Sequence, residues 1–221
     1  MSEKNFKLLV FDWDGTLMDS APRIVASFQA AVTDLGMEKR SPAQIRHIIG
    51  LGLDTAIATL FPGASTQQCL RLAERYRYHF LGNHALATPL FPGVAEILHT
   101  LHAADYWLAV ATGKSRKGLN RALAESGLTD VFHSTRSADE TSSKPNPQML
   151  QEIMDELGIL PSDTLMIGDT EYDLQMAHNA GVASVAVSYG VHDKALLLAC
   201  NPLICIDSLP ALSAWLHSAL H

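Results

Sequence analysis

The chain alternates short, nearly continuous apolar runs with longer stretches whose apolar residues recur at helical spacing. The apolar runs lie at residues 7–11, 107–111, 164–167, 184–187 and 203–206. Runs of this length without polar alternation are typical of strands buried on both faces of a parallel sheet. Helical spacing is clear at residues 93–101, 146–157 and 209–220. This alternation predicts an α/β fold with a doubly wound parallel sheet.

One long interval breaks the alternation. Between residues 20 and 86 the helical patterns at 24–35, 44–49, 53–60 and 66–81 follow one another without a buried strand. Prolines and a glycine at residues 89–93 then mark the return to the alternating pattern. We therefore expect a core domain formed by residues 1–18 and 88–221, with a helical domain of residues 19–87 inserted after the first strand.

Composition and charge narrow the range of partners. The 221-residue chain is 48% hydrophobic, and its net charge is -7, from 23 acidic and 16 basic residues without a long Lys/Arg block. Because nucleic-acid binding depends on neutralising phosphates, we expect no nucleic-acid partner. The three cysteines have no zinc-site spacing, and no apolar run is long enough for a membrane span or a signal peptide. We expect a cytoplasmic protein with no membrane partner, either a monomer or a dimer.

Pairs of aspartates follow two of the predicted strands. Asp12 and Asp14 come directly after the first strand, and Asp169 and Asp173 follow a later one. Since the carboxyl ends of parallel strands meet at one edge, these carboxylates should converge, and they would repel each other without a cation among them. Mg²⁺ suits such an all-oxygen site. The alternatives are an ordinary Asp-Gly turn and a helix cap at Asp169.

Two further segments could bind an anion. Thr112 and Gly113 end a predicted strand and lead into a helix, whose first N–H groups favour negative charge. Lys144 precedes a proline-started helix, where the following proline restricts its backbone. A Thr-Gly helix cap and a solvated lysine are each common. These segments therefore indicate an anion site only in combination with the aspartates.

The four segments, in this order, resemble the motifs of the haloacid dehalogenase superfamily. The matching residues are Asp12-Trp13-Asp14-Gly15-Thr16-Leu17, Thr112-Gly113, Lys144-Pro145 and Gly168-Asp169-Thr170-Glu171-Tyr172-Asp173. The resemblance extends over essentially the whole chain. It implies a Rossmann-like core, and the helical insertion is similar to the C1 cap of the phosphoglycolate phosphatase-like branch.

This resemblance implies a Mg²⁺-dependent phosphatase. Its substrate would be a small phosphorylated metabolite, such as phosphoglycolate, a sugar phosphate or a nucleotide monophosphate. Asp12 would attack phosphorus and form an aspartyl-phosphate, while Asp14 would act first as general acid and then as general base. A second acid at Asp14 favours phosphoryl transfer over dehalogenation, because dehalogenases of the superfamily usually lack it.

The remaining roles are also implied by the resemblance. The metal ligands would be Asp12, the backbone carbonyl of Asp14, and Asp169. The phosphoryl oxygens would be bound by Thr112, Gly113 and Lys144, and Lys144 also belongs to the catalytic set. Asp173 would steady Lys144 or a metal-bound water.

Substrate selection is expected in the cap. The Gly-Leu-Gly-Leu turn at residues 50–53 is flexible enough to approach the strand ends, although it could equally be a plain interhelical turn. Arg23 stands where phosphoglycolate phosphatase-like chains often carry an acid. Our hypothesis is that Arg23 binds a second anionic group of the substrate; the alternative is a solvated arginine in the first turn of a helix.

A phosphomutase and a non-catalytic binding protein are the alternatives to a phosphatase. A phosphomutase of the β-phosphoglucomutase kind needs the same second acid, but that group tends to carry a histidine where this chain has Ile24. Such a mutase would also require a bisphosphate activator. A non-catalytic binding protein on the same fold has no chemical need to retain Asp12, Asp14, Lys144 and Asp169 together, and it would show no Mg²⁺-dependent turnover.

Overall fold

The computed structural model describes residues 6–82 and 86–218. Its strands form one six-stranded parallel sheet in the order β3-β2-β1-β4-β5-β6. The strands are β1 (Leu8–Phe11), β2 (Trp107–Thr112), β3 (Ser134–Ser137), β4 (Thr164–Gly168), β5 (Ala183–Val187) and β6 (Ile204–Ile206). Since β1 pairs with both β2 and β4, its carboxyl end lies in the middle of one sheet edge.

Ten α-helices connect or flank the strands within the described part of the chain. They are α1 (Ala21–Asp34), α2 (Pro42–His47), α3 (Leu53–Leu60), α4 (Thr66–Gly82), α5 (Val94–Ala103), α6 (Arg116–Ser126), α7 (Gln148–Leu157), α8 (Glu171–Asn179), α9 (Lys194–Ala199) and α10 (Ala211–Ser218). A short 3-10 helix covers Pro161–Asp163. Within the described ranges, no helix is both long and apolar enough to cross a membrane.

Side chains of β1 alternate between two apolar layers. Leu9 and Phe11 pack in a cluster with residues of α5, α6 and α10. Leu8 and Val10 point the other way, into a cluster with α7 and α8. All four side chains are fully buried. Helices therefore cover both faces of the sheet, which confirms the predicted α/β doubly wound fold.

The predicted strands agree with the structure within a residue or two, but one strand was missed. Ser134–Ser137 forms β3 at the sheet edge, and its sequence is entirely polar or charged. The short helix α9 was also not predicted. The predicted domain limits at residues 1 and 221, and the last two residues of the helix predicted at 209–220, lie outside the described residues.

The predicted run of helices after β1 is also present. Helices α1 to α4 share an apolar cluster of their own, and from residue 20 to 82 the described chain contains no strand. The segments that leave and re-enter the sheet region lie side by side. The Asp19 N–H donates to the Pro89 carbonyl at 2.8 Å, and the Phe91 N–H donates to the Leu17 carbonyl at 3.0 Å. The chain thus leaves and rejoins the sheet region at one place, close to the strand end that carries Asp12.

Candidate active site

The ends of two adjacent strands bring three aspartates together. Asp12 follows β1 and Asp169 follows β4, and the Asp12 N–H donates to the Ile167 carbonyl at 3.0 Å. Carboxylate oxygens of Asp12, Asp169 and Asp173 lie within 4.8 Å of one another. All three side chains are buried. The sheet edge therefore concentrates negative charge where water has little access.

Lys144 reaches into this acidic cluster from the loop before α7. Its Nζ lies 2.7 Å from Asp12 Oδ1 and 2.6 Å from Asp173 Oδ1, and the lysine is only 1% exposed. Burial acts to lower the pKa of Lys144, but the two carboxylates outweigh it and raise that pKa above its usual value. Lys144 is therefore a charged ammonium that joins two of the acids.

Asp173 is held in place by the first turn of α8. Thr170 and Asp173 form a capping box, in which the Asp173 N–H donates to the Thr170 hydroxyl at 3.3 Å and the Thr170 N–H donates to Asp173 Oδ2 at 3.1 Å. The Thr170 hydroxyl also donates to Asp173 Oδ2 at 2.7 Å. One carboxylate oxygen thus caps the helix while the other accepts from Lys144. The helix start positions the lysine through Asp173.

Asp169 is fixed by contacts on each of its oxygens. The Thr16 hydroxyl donates to Oδ1 at 2.7 Å, and the Val191 N–H donates to Oδ2 at 2.9 Å. Gly15 makes room for this carboxylate: its φ is +91°, and a Cβ there would lie 2.2 Å from Asp169 Oδ2. The glycine after the first two aspartates is therefore required both by its turn and by the approach of Asp169.

The charges in the cluster do not balance. Burial raises the pKa of Asp12 well above its usual range, with further rises from Asp173 and Asp169 that oppose the effect of Lys144. Burial and the charge of Asp173 raise the pKa of Asp169 to about 7. Asp12 Oδ2 is buried and, among the described residues, has no hydrogen-bond partner. The cluster has more carboxylates than cations, and one of its buried carboxylate oxygens has no hydrogen-bond partner within the described ranges. Such a cluster is suited to bind a divalent cation.

Asp14 does not belong to the group of three clustered carboxylates. Its Oδ1 accepts a short hydrogen bond from the Ser20 hydroxyl and lies 2.8 Å from the Lys114 Nζ. The sequence did not single out Ser20 or Lys114. Lys114 directly follows the Thr112-Gly113 pair, and this adjacency is the one signal that could have found it. Both contacts are to Oδ1, so neither of them occupies Oδ2.

Thr112 ends β2, the strand beside β1, and Gly113 follows it under the turn at residues 50–53. The Thr112 hydroxyl accepts from the Lys114 N–H at 3.2 Å. A Cβ at Gly113 would lie 2.5 Å from the Leu51 carbonyl oxygen. The Gly52 N–H donates to the Ser143 hydroxyl at 2.9 Å, one residue before Lys144. The turn therefore closes over two of the four motif segments.

Arg23 is not with the clustered acids. Its Nε donates to the Phe80 carbonyl at 2.9 Å, its guanidinium lies 4.8 Å from the centre of the Phe80 ring, and only 9% of the residue is exposed. The alternative of a solvated arginine is therefore wrong. Arg23 and Asp14 both line a cavity of about 500 Å³, which we call the Asp14 cavity, between α1, α3, α4 and the start of α6.

A second group of possible metal ligands lies nearby, at His47, Glu171 and His192. The Glu171 N–H donates to His192 Nδ1 at 3.2 Å, and His192 Nε2 lies 3.0 Å from the His47 carbonyl oxygen. Both ring nitrogens of His192 are therefore engaged by the backbone. This histidine joins α2 to the loop before α9 and has no lone pair left for a metal.

Comparison with known proteins extends the resemblance to the whole fold. A family model described as haloacid dehalogenase-like hydrolase matches residues 9–187, a range that includes all four motif segments. "Probable phosphatase IndB" of Dickeya dadantii (strain 3937) is 35% identical over 217 residues, 96% of this chain and 94% of that protein. A "Phosphoglycolate phosphatase" of Vibrio parahaemolyticus is 33% identical over 221 residues, 96% of each chain. The structure of a "predicted phosphoglycolate phosphatase" from Haemophilus somnus 129pt has a TM-score of 0.86 at 26% identity, covering 95% of this chain and 97% of that one.

Replacing the buried lysine tests the charge balance directly. In EDTA, we expect Lys144→Met to lower the free energy of unfolding at about pH 8 by roughly 3–5 kcal/mol, because it leaves buried carboxylates without their cation. The loss should shrink at about pH 5. The pKa values of Asp12 and Asp169 are raised in the folded state above their unfolded values near 4, so these carboxyls destabilise the fold increasingly as pH rises above 4.

Urea unfolding at the two pH values provides the measurement. Lys7→Met is the matched control, since Lys7 pairs with Asp163 at 2.7 Å in an exposed position, and we expect it to cost less than about 1 kcal/mol at either pH. A loss for Lys144→Met that is independent of pH would contradict the electrostatic account and indicate a packing effect alone.

Proposed function

Because the chain belongs to the haloacid dehalogenase-like hydrolase family and is a phosphatase, we propose that it hydrolyses a small phosphomonoester in a Mg²⁺-dependent reaction through an aspartyl-phosphate on Asp12. Family membership confirms the resemblance found in the four motifs. The candidate substrates are phosphoglycolate, a sugar phosphate and a nucleotide monophosphate. Relatives named phosphoglycolate phosphatases support the first of these.

One observation carries the proposal. Asp12 has one buried oxygen without a hydrogen-bond partner in the described part of the chain, while its other oxygen lies 2.7 Å from the Lys144 Nζ. A carboxylate in this setting is oriented, poorly solvated and close to a fixed positive charge. These are the conditions under which a carboxylate can attack phosphorus and a lysine can stabilise the charge that gathers on the phosphoryl oxygens.

The proposed reaction has two displacements. An Asp12 oxygen bonds to phosphorus as the bond to the ester oxygen breaks, and Asp14 Oδ2 gives its proton to the departing alkoxide. Asp14 then takes a proton from a water, whose oxygen attacks phosphorus and breaks the bond to Asp12. Inorganic phosphate leaves, and both aspartates return to their starting states. Lys144, Thr112 and the Gly113 N–H hold the phosphoryl oxygens throughout.

The proposed metal site uses the same strand ends. Asp12, the Asp14 backbone carbonyl and Asp169 would hold Mg²⁺, with Asp173 kept beside them by its capping box and by Lys144. When bound, Mg²⁺ would supply positive charge that screens the nucleophile from the phosphoryl oxygens. Thr16 and Val191 support this arrangement by fixing Asp169 through both of its oxygens.

Helices α1 to α4 would form a cap over this chemistry. The proposed division places residues 19–87 in the cap and residues 1–18 and 88–221 in the core. Its support is the separate apolar cluster of these helices and the paired segments at Leu17 and Phe91. The turn at residues 50–53 then supplies the contact by which the cap excludes water from Asp14.

The nucleophile and the acid can be separated with p-nitrophenyl phosphate. We expect Asp12→Asn to lower Mg²⁺-dependent turnover by on the order of a thousandfold or more, because no phosphoenzyme can form. Asp14→Asn should instead release about one equivalent of p-nitrophenolate per enzyme and then stall. This leaving group needs no proton, but hydrolysis of the phosphoenzyme needs the base.

Rapid-mixing absorbance measurements would record the burst, with Asp155→Asn as a control on the exposed face of α7. Full turnover in Asp12→Asn would remove the proposed nucleophile. Steady turnover without a burst in Asp14→Asn would show that another group activates the water.

Metal binding is testable without turnover. Mg²⁺ should raise the melting temperature of the wild type more at about pH 8 than at about pH 5.5, because protons compete for Asp169 below its raised pKa of about 7. In EDTA, the raised pKa of Asp169 adds to the free energy of unfolding while the carboxyl is protonated, fully so below its unfolded pKa near 4. This contribution is lost as pH rises through about 7. Asp169→Asn should abolish the Mg²⁺ increment, while Asp155→Asn should retain it. An increment that persists in Asp169→Asn would place the metal elsewhere.

Arg23 is proposed to bind a second anionic group of the substrate. We expect Arg23→Ala to raise KM for phosphoglycolate at least fivefold while KM for ethyl phosphate, which lacks a second charge, changes less. Arg23→Lys should give an intermediate value for phosphoglycolate, and Arg71→Ala, exposed on α4, should match the wild type. Equal rises for both esters would assign Arg23 a purely structural role through its bonds to Phe80.

A further inference from the structure

The Asp14 cavity bears on the identity of the substrate. Its volume of about 500 Å³ is comparable with pockets that enclose drug-sized ligands, roughly 300–1,000 Å³. A two-carbon glycolate would occupy a small part of it, since a single water takes roughly 30 Å³ of liquid volume. The cavity is therefore large for phosphoglycolate.

Its position identifies which part of the substrate it receives. Asp14 lines the cavity, and under the proposed function this carboxyl protonates the ester oxygen of the leaving group. The alcohol portion of the substrate must therefore extend from Asp14 into the cavity, while the phosphoryl group lies toward Asp12 and Lys144. Asp14 thus marks the boundary between the reacting end and the body of the substrate.

The wall formed by α1 and α4 is aromatic. The rings of Phe28 and Tyr76 have centroids 4.4 Å apart, and those of Tyr76 and Phe80 are 5.7 Å apart. The apolar lining continues with aliphatic side chains of the helices and turns: Ile24, Ile48, Ile49, Leu51, Leu53 and Ala56. Charged side chains, among them Arg23, Arg77, Lys117 and Arg121, line the rest of the cavity. A sugar would bring several hydroxyl groups against these surfaces, and each hydroxyl without a partner would weaken binding. An apolar ring would instead gain from burial and from offset or edge contacts with the aromatic side chains.

We propose that the substrate is a phosphomonoester of an alcohol that carries an apolar ring, and that the ring packs against Tyr76 and Phe80 in the Asp14 cavity. This inference rests on the proposed phosphatase reaction, because that reaction assigns the leaving group to Asp14. Within that reaction it favours a ring-bearing alcohol over the two-carbon acid and over a polar sugar. Arg23 lines the same cavity, so the second anionic group proposed for it would be carried by the ring-bearing alcohol.

A panel of esters with closely matched leaving groups tests the proposal. Benzyl phosphate, phosphoglycolate and glucose 6-phosphate are all esters of primary alcohols, so differences in kcat/KM report mainly how the body is bound. Burial of a ring-sized apolar group should raise kcat/KM for benzyl phosphate roughly tenfold to a hundredfold over the other two. Binding of benzylphosphonate to Asp12→Asn, followed by calorimetry, gives a second measure without turnover.

Variants of the wall test its location. Phe80→Ala should reduce the ratio of kcat/KM for benzyl phosphate to that for phosphoglycolate at least fivefold. Tyr78→Ala is the matched control, since this aromatic residue of the same helix is 64% exposed, and it should leave the ratio unchanged. Leu53→Ala, half-buried in the wall formed by α3, should lower the same ratio and serves if Phe80→Ala fails to fold.

The outcomes separate the two proposals. If no ester in the panel is hydrolysed in a reaction that requires Asp12, the proposed function fails. If hydrolysis requires Asp12 but phosphoglycolate or glucose 6-phosphate matches or exceeds benzyl phosphate, the ring-bearing substrate is overturned and the phosphatase reaction stands. A preference for benzyl phosphate that neither wall variant alters would also overturn the placement of the ring.

Discussion

The ammonium of Lys144 between Asp12 and Asp173 is the interaction on which the rest of the site depends. It joins three parts of the chain that are far apart in sequence: the end of β1, the loop before α7 and the first turn of α8. Burying three carboxylates near one another is unfavourable, and one lysine offsets only part of that cost. Hydrogen bonds from Thr16, Thr170 and backbone N–H groups stabilise the buried carboxylates further.

This partial compensation gives the site its chemical character. A fully neutralised cluster would have little affinity for a metal ion, and a cluster without Lys144 would repel a phosphate group. With one ammonium and an excess of carboxylates, the cluster is suited to a divalent cation and, under the proposed function, to an anionic phosphoryl group beside it. Asp12 Oδ2, which has no hydrogen-bond partner among the described residues, is the oxygen that remains available to the proposed reaction. The burial of charge that destabilises the fold is therefore also the feature on which the proposed reaction depends.

The sequence predicted those parts of the molecule that depend on local pattern. Apolar runs located five strands, and motif spacing brought the four acids and Lys144 to one sheet edge. Strand β3 was not predicted because its residues are polar or charged and are stabilised by partners distant in sequence. Arg136, for example, forms an ion pair with Glu152 at 2.8 Å. The pairing of Asp14 with Ser20 and Lys114 depends on how two loops meet. The burial of Arg23 depends on the path of α4. Such contacts between separate elements leave no periodic signal.

The contact between helices α1 to α4 and the sheet edge is made by different groups from those that form the aromatic wall of the Asp14 cavity. Backbone groups make much of this contact: the Gly52 N–H bonds to Ser143, and the His47 carbonyl lies 3.0 Å from both the Tyr172 hydroxyl and His192 Nε2. The aromatic wall of the Asp14 cavity consists instead of side chains on α1 and α4, which take no part in these bonds. Under the proposed reaction, substitutions in that wall would change which alcohol fits beside Asp14 without loosening the contact over Thr112 and Gly113. The same sheet edge would then serve phosphomonoesters of different alcohols, because the residues that select the alcohol are not those that hold the helices against the sheet edge.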